Sequence, residues 1–276
     1  MIGNLNSIFK QRNKPVSVAP AYDTDAQAYF TANTAITSDA DKNAINTYLF
    51  VNAKSQGYYS KIKEMILPLW STATNNKWNL VNPLDTNGAF RLTFSTGWTH
   101  SSSGMTPNGT SAFADTYLIP STNLTQDNAH LSFYSGTNSV GNHFDIGASG
   151  SPTTGTNSIV LYSRFTGDVF AGRVNAQTNT QATNTNAQGF YITSRLVSNT
   201  QQIFKNGTKT SSSVNSTGRS ANSINIGRWN NPSGTLYYSN KQCRFSSIGE
   251  GLTDTEATNF TNNVNALMTY FGLNTF

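Results

Sequence analysis

From about residue 70 to residue 250 the chain is a succession of short apolar runs with period-2 alternation, and this pattern restricts it to a mainly β fold. Phe90, Leu92 and Phe94 alternate with Ala89, Arg91 and Thr93, and Leu131 and Phe133 with Ser132 and Tyr134. Further runs stand at Ile159–Tyr162, Val169–Ala171, Phe190–Ile192 and Arg195–Val197. Short strands at turn-signal spacing are the mark of a β-sandwich. The strongest hairpin signal is Lys205-Asn206-Gly207-Thr208, after the run Gln202–Phe204, because both central positions of such a turn need φ > 0. Strand-like runs follow at Ser223–Gly227 and Cys243–Gly249. Between Asn175 and Gln188 there is almost nothing apolar, which reads as a long polar loop or a weak edge hairpin.

Helical signals flank this region. Asp23-Thr24-Asp25 can cap a short helix carrying Ala26, Ala28, Tyr29 and Phe30. Thr37-Ser38-Asp39-Ala40-Asp41 starts a longer one with Ala44, Ile45, Tyr48 and Leu49 as its stripe, stopped at Gly57. A third helical turn is expected over Ile62, Met65 and Ile66, with Pro68 ending it. At the far end Thr253 and Glu256 form a capping box for a closing helix over 253–272, with Phe260, Val264, Leu267, Met268 and Phe271 as its apolar face. The expected organisation is an N-terminal arm over 1–20, a helical subdomain over 21–70 and a sandwich with its closing helix over 71–276.

Composition narrows the class. Charged residues make up 11% of the chain, less than half the usual share of about 25%. Asn, Ser and Thr supply more than a third of the residues, while 16 Phe, 12 Tyr and 4 Trp leave ample aromatic area for a core. The polar excess fits the outward faces of strands and long loops. The net charge of +5 is spread thinly, so a nucleic-acid groove is not expected. No run reaches the length of a membrane span, and no secretory apolar segment follows Met1, so synthesis in a cytoplasm without a signal is expected. The lone Cys243 reads as a buried free thiol. The arm, with Lys10, Arg12 and Lys14 and ending at Pro20, reads either as a frayed terminus or as an anchor that orders against a neighbouring subunit.

Strands closed by one capped helix resemble the concanavalin A-like or laminin-G-like jelly roll. A narrower resemblance rests on an ordered series of motifs. It runs Asp25-Ala26-Gln27-Ala28, Ala44-Ile45-Asn46, Tyr58-Tyr59-Ser60-Lys61-Ile62-Lys63, Leu67-Pro68-Leu69 and Lys77-Trp78-Asn79-Leu80. It continues through Pro83-Leu84-Asp85, Ala89-Phe90-Arg91-Leu92-Thr93-Phe94, Gly97-Trp98-Thr99-His100-Ser101, Thr106-Pro107-Asn108-Gly109-Thr110 and Ala114-Asp115-Thr116. This succession resembles phage virion proteins of the concanavalin A-like type, as in crAss-like and related phages of Bacteroidetes bacteria. The resemblance covers about residues 22 to 272. It implies a structural component of a particle, with other virion proteins and further copies of itself as partners. It also implies a fold that binds sugars or proteins at its loop ends, with some members that cleave.

The chemistry visible in the residues is that of contact. Glycoside hydrolases on this jelly roll carry Glu-x-Asp-x-(x)-Glu on one strand, and no such run is present. Glu250, Asp254 and Glu256 cluster where a helix start calls for acids, and Asp85, Asp115, Asp127, Asp145 and Asp168 are scattered, so only an acid pair distant in sequence stays open. His100, His130 and His143 lack metal-ligand spacing. A lyase-type base can be drawn from His143 with Arg164 or Arg173. No cofactor signature is present, and calcium at a loop rim near Asp115, Asp127 and Asp145 is the ion the resemblance allows. For sugar contact the candidates are Trp98, His100, Trp229, Asn230, Tyr237 and Tyr238, which sit among Gly, Asn and Ser. Trp98, directly after a strand, reads rather as a core or interface ring. For Trp229, in Arg228-Trp229-Asn230-Asn231-Pro232, an exposed loop ring and a buried one stand equally.

The expectation is therefore a non-enzymatic phage virion protein, such as a decoration, head-fibre or tail/baseplate component. It would be homo-oligomeric and in contact with host surface glycans. The alternatives are a virion-associated polysaccharide depolymerase and a free lectin-like adhesin.

Overall fold

The computed structural model describes residues 21–150, 156–231 and 236–276. The expected anchoring residues Lys10, Arg12 and Lys14 lie outside them. The first sheet runs from β13 (Thr208–Ser213) through β12 (Thr200–Lys205), β11 (Gly189–Val197) and β6 (Ala129–Ser135) to β16 (Cys243–Gly249). Beyond β16 one margin is shared: β4 (Gly104–Pro107), followed by β3 (Trp98–Ser101), pairs at Cys243, and β1 (Ile62–Ile66) pairs at Ser246–Gly249. The second sheet runs β10 (Thr180–Thr183), β9 (Val169–Ala176), β8 (Ser158–Phe165), β7 (Ile146–Ala148), β14 (Asn225–Ile226), β5 (Ala114–Asp115) and β2 (Thr93–Phe94). The short β15 (Trp229–Asn230) joins β7 in parallel, and the other pairings are antiparallel. The fold is mainly β, with two antiparallel sheets and few helices.

Alternation sorts the side chains into layers. Leu131, Phe133, Tyr191 and Ile203 of the first sheet meet Ile146, Ile159, Leu161, Phe170 and Val174 of the second in the interior. Their neighbours Tyr134, Phe190, Ile192, Phe204 and Phe245 point the other way, into a layer of helices. That layer holds α1 (Thr24–Ala32), capped by Asp23, and α2 (Asp39–Ile45), capped by Ser38. α2 continues through a π-helical stretch, Asn46–Val51, into α3 (Asn52–Ser55). Two single-turn helices, α4 (Ala73–Asn76) and α5 (Pro120–Asn123), lie in connections. The closing helix α6 (Asp254–Tyr270) has both bonds of the expected capping box and lays Phe260 against Phe190 and Phe245, with ring centroids 5.4 and 5.7 Å apart. Burying a ring of this size contributes about 1.5–3 kcal/mol. The Asn206–Gly207 hairpin forms as expected, with φ of 49° and 83° and Lys205 facing Thr208.

Two local expectations are corrected, and a third, left between a polar loop and an edge hairpin, resolves to the hairpin. Ile62–Ile66 is a strand, because pairing with β16 gives a five-residue segment backbone partners that a lone helical turn would lack. It lies within the segment expected to be helical. Of the run Ala89–Phe94 only Thr93–Phe94 is strand, since Phe90 adopts a left-handed φ of 60° after a 3-10 turn. The polar segment after Asn175 does hold an edge strand, β10. Among the described residues no helix is long and apolar enough to cross a membrane.

Candidate functional site

The helices cover the outer face of the first sheet, and among the described residues no helix residue enters the apolar cluster on the outer face of the second. That cluster follows from the pleat. On β8, Ile159 and Leu161 turn inward while Val160 and Tyr162 turn outward. On β9, Phe170 and Val174 turn inward, and Ala171 turns outward. Arg173, two residues on from Ala171, shares its side and lies over Trp229, its guanidinium carbon 5.3 Å from the ring. Trp229 stacks on Phe144 at 5.1 Å and 15°, and on Tyr237 at 6.2 Å and 19°. Phe144 also meets Tyr237 at 5.1 Å and Tyr162 edge-on at 4.9 Å. Tyr237 and Phe165 are the half-buried members at the rim.

Hydrogen bonds fix the periphery of this patch and leave gaps at its centre. Arg173 Nη1 donates to the Gln177 carbonyl (2.7 Å), and Asn179 Nδ2 donates to the Tyr162 hydroxyl (3.0 Å). Two donors beside the ring stack, Arg173 Nε and Trp229 Nε1, are buried without an acceptor. Each such donor costs about 1–3 kcal/mol if left unsatisfied. Burial pushes the Tyr162 hydroxyl pKa up, against the nearby Arg173 charge, and pulls that of Arg173 down. The patch therefore gathers stacked rings, a cation and two buried donors without acceptors, with the half-buried Tyr237 at its rim.

Of the six residues expected to contact sugar, the structure gathers four. Trp229 is not an exposed loop ring: it belongs to β15 and is only 7% exposed, because Phe144, Tyr237 and Arg173 close around it. Asn230 beside it spends its amide on the Ser223 carbonyl (2.8 Å). Tyr238 follows Tyr237 and faces Arg228, whose guanidinium lies between the Tyr238 and Phe113 rings. Trp98 and His100 lie on β3, at the end of the first sheet. There Phe94 meets them edge-on at 5.6 and 4.8 Å, and Asn76 holds His100 Nδ1 at 2.9 Å. Trp98 is half-buried and packs against the sandwich interior, as its position after a strand suggested. A Cβ on Gly227, which has φ +86°, would lie 3.0 Å from its ring.

Phe144, Tyr162 and Arg173 were missed as contact candidates. The signal lay in Ile159-Val160-Leu161-Tyr162, which is apolar at every position. A strand covered on one face only would alternate, so such a run announces cover on both.

The remaining chemical candidates are accounted for by structure. Asp145 is fully buried, paired with Lys241 at 3.2 Å, and accepts from the Ser163 amide and from the Ser163 and Ser239 hydroxyls at 2.6–2.7 Å. Asp115 accepts from the Tyr117 amide (2.9 Å). The calcium candidates Asp115, Asp127 and Asp145 form no common site, and no group of three His, Cys, Asp or Glu suited to a metal occurs among the described residues. His143 Nδ1 lies 2.7 Å from the Tyr238 carbonyl, and Arg164 is taken by Asp168 and Asn138, so the pairing of His143 with Arg164 is not formed, while Arg173 lies over Trp229. Cys243 is buried and its thiol pKa raised by burial, as expected of an inert packed thiol. One carboxyl escaped the sequence reading: Glu64 is buried with neither oxygen hydrogen-bonded, and burial, then Asp115, raises its pKa well above the ordinary value.

No protein-family model matches the chain, and no curated protein matches it in sequence. Among solved structures, a sialidase of Trypanosoma rangeli in complex with 2,3-difluorosialic acid is similar at TM-score 0.56 and 11% identity, over 87% of this chain and 39% of that one. The same sialidase with a difluoro-KDN ligand gives TM-score 0.52 and 11% identity, over 73% and 32%. The CBM40 of a Ruminococcus gnavus IT-sialidase, bound to α2,6-sialyllactose, has a TM-score of 0.37 at 13% identity, over 50% and 84%, too low to weigh here. The chain thus covers 32% and 39% of the two Trypanosoma rangeli sialidase chains. The expectation of a non-enzymatic chain is corrected by this finding: the structures whose fold it shares at TM-scores above 0.5 are enzymes, so the architecture gives no ground for excluding catalysis. At 11% identity the likeness shows the fold alone.

Proposed function

We propose that this chain is a glycan-contacting surface component of a bacteriophage particle. It is a decoration, head-fibre or tail/baseplate protein built on a concanavalin A-like or laminin-G-like jelly roll. It assembles with other virion proteins and with further copies of itself. The particle assignment is supported by the ordered motif series across residues 22 to 272. The glycan assignment is carried by one observation: the aromatic cluster of Phe144, Trp229 and Tyr237 beside Arg173, with the half-buried Tyr237 at its rim.

The chemistry of that observation suits a sugar. Ring faces take the C–H side of a pyranose, and rigid aromatic side chains lose little entropy in doing so. The half-buried Tyr237 is the ring through which a ligand reaches the stack.

Two experiments test the assignment. Antibodies against the purified chain, applied to intact particles, should label their surface, and labelling of host cytoplasm alone would overturn the particle reading. Incubation with bacterial capsular polysaccharides, followed by assay for new reducing or unsaturated ends, separates contact from cleavage. Retention without new ends indicates a binding protein, and new ends indicate the depolymerase alternative.

A further inference from the structure

The two sheets end side by side along one margin of the sandwich, where β13 pairs only with β12 and β10 only with β9. One end of this margin is shut. The buried Gln201 of the first sheet donates to the Gly172 carbonyl and to Thr180 Oγ1 of the second, both at 3.0 Å, and accepts from the Val174 amide at 2.7 Å. The Thr180 and Ser212 hydroxyls also meet across the gap. Toward the other end the edges part into a cleft of about 320 Å³, which is at the small end for a ligand pocket and suits one ring rather than a chain.

The cleft is built in three parts. Phe170 and Ala182, cross-strand partners on β9 and β10, give an apolar wall, with Phe170 only 2% exposed. Thr183 on one edge and Thr208 and Thr210 on the other line it, and Thr208 and Thr210 share the face of Lys205 and Ile203, their β12 partners. Lys205 supplies a cation. Its ammonium donates to Asn184 Oδ1 (2.6 Å) and to the Asn186 carbonyl (2.9 Å), which are neutral acceptors. An ammonium has three donors, so one is left over. Lys205 enters none of the ion pairs formed among the described residues. It is partly desolvated, and burial pulls its pKa down. A partly buried cation held by neutral groups makes the cleft selective for an anion.

We propose that this cleft is a second binding site, separate from the aromatic face, which holds one carboxylate-bearing pyranose: its C–H face lies against Ala182, above the buried Phe170, its hydroxyls meet Thr208 and Thr210, and its carboxylate meets Lys205. The inference stands apart from the glycan reading of the other sheet face, since it uses none of the residues there.

The test is a heteronuclear NMR titration of the full ¹⁵N-labelled chain with glucuronic acid, glucose and inorganic phosphate in turn. Glucuronic acid should shift the amides of Thr183, Thr208 and Thr210 and bind about tenfold more tightly than glucose, as one charge-assisted hydrogen bond implies. Lys205→Gln should erase that preference, and Lys205→Arg, which keeps the cation, should retain most of it. Thr210→Val, on an edge strand, should weaken glucose and glucuronic acid alike with the fold intact. Cleft amides that stay unmoved by glucuronic acid would overturn the proposal. So would equal binding of glucose and glucuronic acid, or a response to phosphate alone, which would mark an adventitious ion only.

Discussion

Lys241 and Asp145 form an ion pair, 3.2 Å apart, in which neither side chain has any solvent exposure. Lys241 also donates to the Arg164 carbonyl (3.1 Å), and the two Asp145 oxygens are saturated by Ser163, Ser239 and Lys241. The pair joins the loop after β15 to the start of β7. It explains why Asp145, a calcium candidate in the sequence, is committed to holding the fold.

Breaking that pair from one side should be costly. Lys241→Met leaves a buried carboxylate without its counter-charge, and a loss of about 3–5 kcal/mol is expected. Lys241→Met combined with Asp145→Asn should recover part of the loss. Urea unfolding of Lys241→Met, Asp145→Asn and the double variant checks this, and additive losses would contradict it.

Glu64 should make the protein less stable as pH rises. Its folded pKa lies well above the ordinary 4.5, so the folded state holds the proton more tightly than the unfolded chain. The contribution is complete below about pH 4.5 and is lost as pH climbs through the folded pKa. Glu64→Gln, which cannot ionise, should therefore gain melting temperature over wild type at pH 7 and 8, with the gap closing at pH 4. Parallel melting curves across this range would show that the carboxyl is not held neutral.

His130 should act in the opposite sense. Burial lowers its pKa from 6.5 to about 4, and its two ring nitrogens face the Glu250 carbonyl and Ser247 Oγ. Its contribution is present above about pH 6.5 and is lost as pH falls toward about 4, because the unfolded chain takes up the proton first. The loss should reach about 3 kcal/mol at the acid end. His130→Gln should flatten the stability curve between pH 6.5 and 4.5, and an unchanged slope would contradict the assignment.

Much of this fold is legible in the residues, and the exceptions have physical causes. The Asn206–Gly207 hairpin and the Thr253–Glu256 capping box are local, so their sequence signals suffice. Ile62–Ile66 is not local: its strand state depends on β16, about 180 residues away, whose carbonyls and amides no window around Ile62 can show. The site divides in the same way. Trp229, Asn230, Tyr237 and Tyr238 are near in sequence and stay together in space. Phe144 comes to them from the connection before β7, Tyr162 from β8 and Arg173 from β9, and only the unbroken apolar run at Ile159–Tyr162 hinted at a covered outer face. Trp98 and His100 have the right residue types in the wrong place, on the margin of the other sheet.

The aromatic face is the centre of the account, and an array of bacterial capsular and O-antigen glycans probed with three proteins tests it most directly. These are the wild type, Tyr237→Ala and Arg173→Gln, each checked by circular dichroism for an intact fold. The wild type should be retained on at least one glycan, and each substitution should weaken that retention about tenfold or more, the loss expected from one stacking or charge-assisted contact. Folded variants that bind as well as wild type, or a wild type that binds no glycan, would contradict it.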